Sequence, residues 1–128
     1  MLAVDTNVVV RFITADDPDQ YARARAFIAA NDVWVAVTVV LETAWVLRSF
    51  YHRPPAEVCA AIRGLAGLPR ISVEQAPAVE QALGWHEAGM DFADALHWAI
   101  AGGCEAYVTF DKDCLSIGRR LGLPVRAP

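Results

Sequence analysis

At 128 residues the chain is about one domain long, and a composition that is 55% hydrophobic excludes a disordered protein. No run of about 18 uncharged apolar residues and no basic leader with a cleavage site is present, so neither a membrane span nor a signal peptide is expected, and a cytoplasmic protein is. The net charge of −4, from 15 acids against 11 bases, speaks at first against a nucleic-acid partner.

Cys59, Cys104 and Cys114 are odd in number and fit no C-x-x-C spacing, so they are read as buried or idle thiols rather than a disulfide framework or a zinc site. The chain opens with the apolar stretch Met1 to Val4 and then Asp5-Thr6-Asn7. So apolar a strand is expected to be buried on both faces, as in a parallel sheet, with Asp5 at its carboxyl end. In open parallel sheets that end is where ligands bind.

Val8 to Phe12 is too short to classify alone, although one helical turn would carry Asn7 and Arg11 beside Asp5. Asp17, Pro18 and Gln20 mark a helix start, with Asp17 as N-cap. That helix should reach about Ala30, with Tyr21, Ala24, Phe27 and Ile28 on one face. Val33 to Val37 reads as a second buried strand, and Thr38 as the cap of a helix from Val39 to about Phe50.

Between Asp32 and Arg48 the sole charge is Glu42, so this helix is expected to be deeply buried. An unpaired carboxylate there would lose several kcal/mol of hydration or shift until neutral. Glu42 therefore needs a partner: an Arg, a hydrogen-bond network, or a metal shared with Asp5.

Pro55 or Ala56 begins another helix that ends near Gly64 to Gly67, Ile71 to Val73 is a short strand, and Ala76-Pro77 opens a helix through Glu87. His52 and His86 are isolated and read as surface or packing residues. Asp91 is a good N-cap for the helix that follows, which puts Asp94 in its first turn. Acids there need no function, because they complement the helix dipole. His97, one turn later, reads as a core histidine bonded to backbone.

Ala106 to Phe110 repeats the opening grammar, an expected buried strand followed by an acid, Asp111. Asp113 is a candidate cap for a short helix from Cys114 to Arg120, and Leu123-Pro124-Val125 a candidate edge strand. Strands alternate with helices without repeat or linker, so one α/β domain over residues 1–128 is expected, a three-layer α/β/α sandwich with a mostly parallel central sheet.

Asp5, Glu42, Asp94 and Asp111 fall at strand ends and in what read as first turns of helices, so they are expected to converge at one sheet edge. Four carboxylates in one pocket need a counter-charge, and oxygen ligands without His or Cys suit Mg²⁺ or Mn²⁺ rather than zinc. Setting those four aside leaves acids and bases equal in number, so the acidity reads as local. Such a cation activates water and neutralises charge on a phosphodiester. Thr6, Asn7 and Thr109 are placed to hydrogen-bond the ligating carboxylates or a bound water.

The sequence resembles the PIN-domain family, and within it the VapC-type toxins of toxin–antitoxin pairs. The resemblance is carried by Val4-Asp5-Thr6-Asn7, by Glu42 within Val40 to Leu47, by Asp91 to His97, and by Val108 to Asp113, in that order. It implies a Mg²⁺- or Mn²⁺-dependent endoribonuclease with Asp5, Glu42, Asp94 and Asp111 as its acidic set, and Asp91 and Asp113 as second-rank acids. It also implies a homodimer neutralised by a cognate antitoxin protein.

A narrow basic rim for RNA is expected from some of Arg11, Arg48, Arg53, Lys112 and Arg119. Ten of the eleven bases are Arg, whose flat fork suits phosphate. Two rivals remain. A haloacid-dehalogenase-like phosphatase using Asp5 as nucleophile needs a second Asp where Asn7 stands; an inactive PIN-like scaffold would only bind a partner.

Overall fold

The computed structural model describes residues 1–128, which divide into two compact units, Met1–Ala76 and Pro77–Pro128. In the first, β1 (Leu2–Ala3), β2 (Val33–Val35) and β3 (Ile71–Val73) form a parallel sheet in that order, with Leu2 opposite Val33 and Val33 opposite Ile71. Between β1 and β2 run α1 (Thr6–Thr14) and α2 (Pro18–Ala30), and between β2 and β3 run α3 (Val37–Ser49) and α4 (Pro55–Ala66). Helix α1 packs on α2 and α3, and α3 on α4. Val9, Val10, Ile28, Val33, Val35, Leu47, Val58 and Ile62 are buried here.

The second unit contains α5 (Ala76–Glu87, its first residue at the boundary), α6 (Phe92–Ile100), β4 (Tyr107–Val108), α7 (Lys112–Arg120) and β5 (Val125–Arg126). Strands β4 and β5 pair in parallel, Tyr107 opposite Val125. Val79, Leu83, Met90, Phe92, Leu96 and Leu115 are buried. The fold is thus α/β with every strand pairing parallel, and the five strands lie where the apolar runs place them.

Several elements follow their sequence signals closely. Asp17 accepts the Gln20 N–H at 3.0 Å and Pro18 is the first residue of α2. Helix α4 starts at Pro55 and ends at Ala66, with Gly67 as its C-cap. The turn from α5 to α6 is closed by Gly89, at φ 114°, and by buried His86, whose Nδ1 lies 2.7 Å from the Met90 carbonyl and whose ring meets Phe92 edge-on.

Other expectations need correction. Strand β1 is exposed rather than buried, Leu2 at 48%, because it is the end strand of its sheet. In β4 Val108 is exposed, as is Phe110 beyond it at 84%, since a two-stranded ribbon has little to cover it. Helix α3 buries one face only, Val40, Thr43, Ala44 and Leu47, while Trp45 is 66% exposed and Glu42 also faces outward. It also starts two residues before the expected Val39, with no side-chain cap from Thr38.

Helix α1 extends over nine residues instead of one turn, ending where Ala15 turns left-handed at φ 53°. His97 is exposed, because the buried face of α6 is Phe92, Ala95 and Leu96. Asp111, not Asp113, caps α7.

Candidate active site

Asp5 ends the run into β1 and begins α1: its Oδ1 accepts the Val8 N–H at 3.1 Å. An aspartate is suited to this, since a helix start leaves amide donors without partners and carries positive partial charge. One oxygen serves the helix, and the exposed carboxylate keeps the other for a ligand. Asp5 opens on a groove of about 710 Å³ in the first unit, lined also by Asn7, Arg11, Arg23 and Phe27.

Around that groove Arg11 is already engaged. Its Nε donates to Gln20 Oε1 at 2.7 Å, and Nη1 donates to Asp16 Oδ1 at 3.0 Å and Tyr51 Oη at 3.3 Å. Asn7 is exposed and Thr6 buried. Glu42 sits in the second turn of α3, not the first, with its carboxylate exposed. Deep burial therefore does not force a partner on it. Arg48, toward the end of the same helix, is exposed and reaches only the Arg53 carbonyl, at 3.4 Å.

The carboxylate that does cap α3 is one the motif reading passed over: Glu74, just after β3, accepts the Val37 N–H at 2.9 Å. Its signal was available, for Glu74 is a third instance of strand followed by acid.

In the second unit Asp91 caps α6 through the Asp94 N–H at 3.3 Å, and Asp111 caps α7 through the Cys114 N–H at 2.8 Å. The Thr109 hydroxyl accepts the Asp111 N–H at 3.0 Å, so Thr109 orients the residue through its backbone rather than its carboxylate. Asp113 lies in the first turn of α7, exposed, next to exposed Lys112. Asp94 is half-buried and its Oδ1 accepts the Tyr107 hydroxyl at 2.8 Å.

The electrostatics show which acids share a neighbourhood. Burial, then the charges of Asp94, Asp111 and Asp91, push the Cys114 thiol up to about 11. Burial, then the bond to Asp94, raises the Tyr107 phenol well above its ordinary range. Three carboxylates of this unit therefore act on one buried thiol. Asp5 and Glu42 belong to the first unit, and Asp91, Asp94, Asp111 and Asp113 to the second.

No three His, Cys, Asp and Glu side chains stand close enough to hold a metal ion by themselves. The donor chemistry is nevertheless that of a hard cation, carboxylate oxygens without imidazole, with water left to complete an octahedral shell. The Cys114 thiol is a soft donor and does not suit such a cation.

An α/β chain with parallel strands and acids capping the helices after β1 and β4 matches the family model described as the PIN domain over residues 2–119. The chain belongs to the PIN-domain family. No curated protein matches it. Among solved structures it is similar to a Mycobacterium tuberculosis toxin described as VapC20, sarcin-ricin loop cleaving, at 24% identity over 92% of this chain and 95% of that one, with a TM-score of 0.46.

Proposed function

We propose that this protein is a Mg²⁺- or Mn²⁺-dependent endoribonuclease, the toxin of a type II toxin–antitoxin pair. The observation that carries the reading is the PIN match over residues 2–119, which includes Asp5, Glu42, Asp94 and Asp111 and runs through both units. The match also supports treating residues 1–128 as one PIN-like domain.

The acidic set would hold the cation through carboxylate oxygens. A bound divalent ion would supply the Lewis acidity that deprotonates a water and neutralises charge at the phosphodiester. The chain's own residues have simpler tasks. Asp5 and Asp111 are fixed by the helices they cap, so one oxygen of each is presented without further ordering. No side chain need attack phosphorus. Arg48 and Lys112, both exposed, are cations that would take RNA phosphates, with Arg11 contributing only if it leaves its network. A homodimer, a cognate antitoxin protein over the groove and a cytoplasmic location complete the proposal; no helix is long and apolar enough to cross a membrane.

The test is incubation of the partner-free protein with a mixed RNA pool in Mn²⁺, Mg²⁺ or EDTA, beside Asp5→Asn. Cleavage that needs metal and disappears in Asp5→Asn is expected. Full cleavage by Asp5→Asn would remove Asp5 from the set. An absence of cleavage together with an absence of Mn²⁺ binding would turn the reading toward a scaffold, whose acids serve only as caps.

A further inference from the structure

The hydroxyl of Tyr107 is a neutral side-chain donor that reaches a proposed ligand carboxylate, and both ends of that bond are held rigidly. The Tyr107 backbone is fixed in the β4–β5 ladder, its N–H donating to the Pro124 carbonyl at 2.9 Å. Its ring meets Trp98 edge-on, with centroids 6.3 Å apart and planes at 73°. Asp94 in turn is held by its place in the first turn of α6, with its own N–H on Asp91. Between them the phenol donates to Asp94 Oδ1 at 2.8 Å.

Resting on the ribonuclease reading above, we propose that Tyr107 is a positioning residue that fixes the rotamer of Asp94 for divalent-cation binding. The physical reason is twofold. A half-buried carboxylate in the first turn of a helix still has several rotamers open to it, and each ion-binding event must select one. A donor locked in a sheet removes that search and occupies one oxygen, directing the other to the ion. Neutral donors also leave the charge on Asp94 intact, where an Arg or Lys in the same place would cancel it. Groups that orient a metal ligand in this way change affinity about 10- to 100-fold when removed.

The test uses Tyr107→Phe, which keeps the ring against Trp98 and removes only the hydroxyl. Mn²⁺ affinity is measured by calorimetry without RNA, and cleavage is measured across a Mn²⁺ titration, with thermal melts of both proteins. The expected result is Mn²⁺ binding weakened about 10-fold or more, with cleavage recovered when Mn²⁺ is raised in proportion. A ring that merely packs would leave Mn²⁺ affinity unchanged. Equal affinity in wild type and Tyr107→Phe overturns the proposal while leaving the ribonuclease reading standing; a wild type that binds no Mn²⁺ overturns both. Should Tyr107→Phe melt early, both proteins are compared at a temperature well below its transition, where excess Mn²⁺ cannot act by refolding the chain.

Discussion

Asp16 shows how a partly exposed carboxylate can be held by neutral donors beside a charged one. Tyr51 Oη donates to its Oδ2 at 2.6 Å, Thr14 Oγ1 to its Oδ1 at 2.9 Å, and Arg11 to the same oxygen at 3.0 Å. The Tyr51 bond is the largest influence; burial opposes it, and the bonds from Thr14 and Arg11 then leave the Asp16 carboxyl below its ordinary value. The sign follows directly: a lowered native pKa stabilises the fold above the unfolded value of about 3.9, and that contribution is lost as pH falls through the lowered value. Tyr51→Phe should move the Asp16 midpoint back up toward the ordinary value in a carboxyl-detected NMR titration. An unmoved midpoint would assign the shift to Thr14 and Arg11. None of this was legible in the sequence, because Tyr51 is 40 residues from Arg11 and only the folded chain joins them. The expectation that Arg11 simply awaits RNA was made without that network.

At the scale of elements, acids start most of the helices. Asp5, Asp17, Asp91 and Asp111 cap α1, α2, α6 and α7, and Glu74 reaches across to α3. Caps of this kind are written in local sequence, which is why Asp17-Pro18 and Asp91 were readable and why five strands could be placed from apolar runs alone. Burial was less legible. A run such as Val39 to Leu47 states that a helix is apolar, but which face meets a neighbour depends on packing, and α3 leaves Trp45 and Glu42 outside. The same limit applies to the candidate site: the strand–acid motifs were visible, whereas the Tyr107 bond to Asp94 depends on strand β4 meeting helix α6.

Close packing of α7 on β5 leads to a further prediction. A Cβ at Gly118 would lie 2.6 Å from Val125 Cγ2 and 2.8 Å from Cγ1, so both branches are blocked and rotation of a β-branched side chain gives no relief. Gly118→Ala would gain about 1 kcal/mol of helix propensity but lose about 1–3 kcal/mol to overpacking. A net loss is expected in a denaturant titration, with Val125→Ala in the same chain recovering part of it. A more stable Gly118→Ala would mean that the α7–β5 contact yields.

For the whole molecule the deciding quantity is how many cations are available to an RNA. The net charge is −4, and several arginines are already committed: Arg11 to Asp16, Arg70 to Asp32 at 3.0 Å, and Arg120 to the Ala88 carbonyl at 2.9 Å. Surface pairs contribute little to stability, but they do occupy the fork that would otherwise take a phosphate. If Arg48, Lys112 and one further arginine make the phosphate contacts, single-stranded RNA should bind with a log–log salt slope of roughly −2, from about −0.7 per contact. The measurement is RNA affinity of the Asp5→Asn variant, chosen to suppress cleavage, across a series of salt concentrations. Lys112→Gln should lower the slope by about 0.7 and weaken binding alike for all sequences, as a phosphate contact does. A slope much steeper than −2 that persists when the unpaired Arg25, Arg119 and Arg126 are changed to Gln would show that RNA recruits the paired arginines out of their ion pairs. In that case the Arg11 network with Asp16, Gln20 and Tyr51 would be a reserve of positive charge rather than a fixed strut.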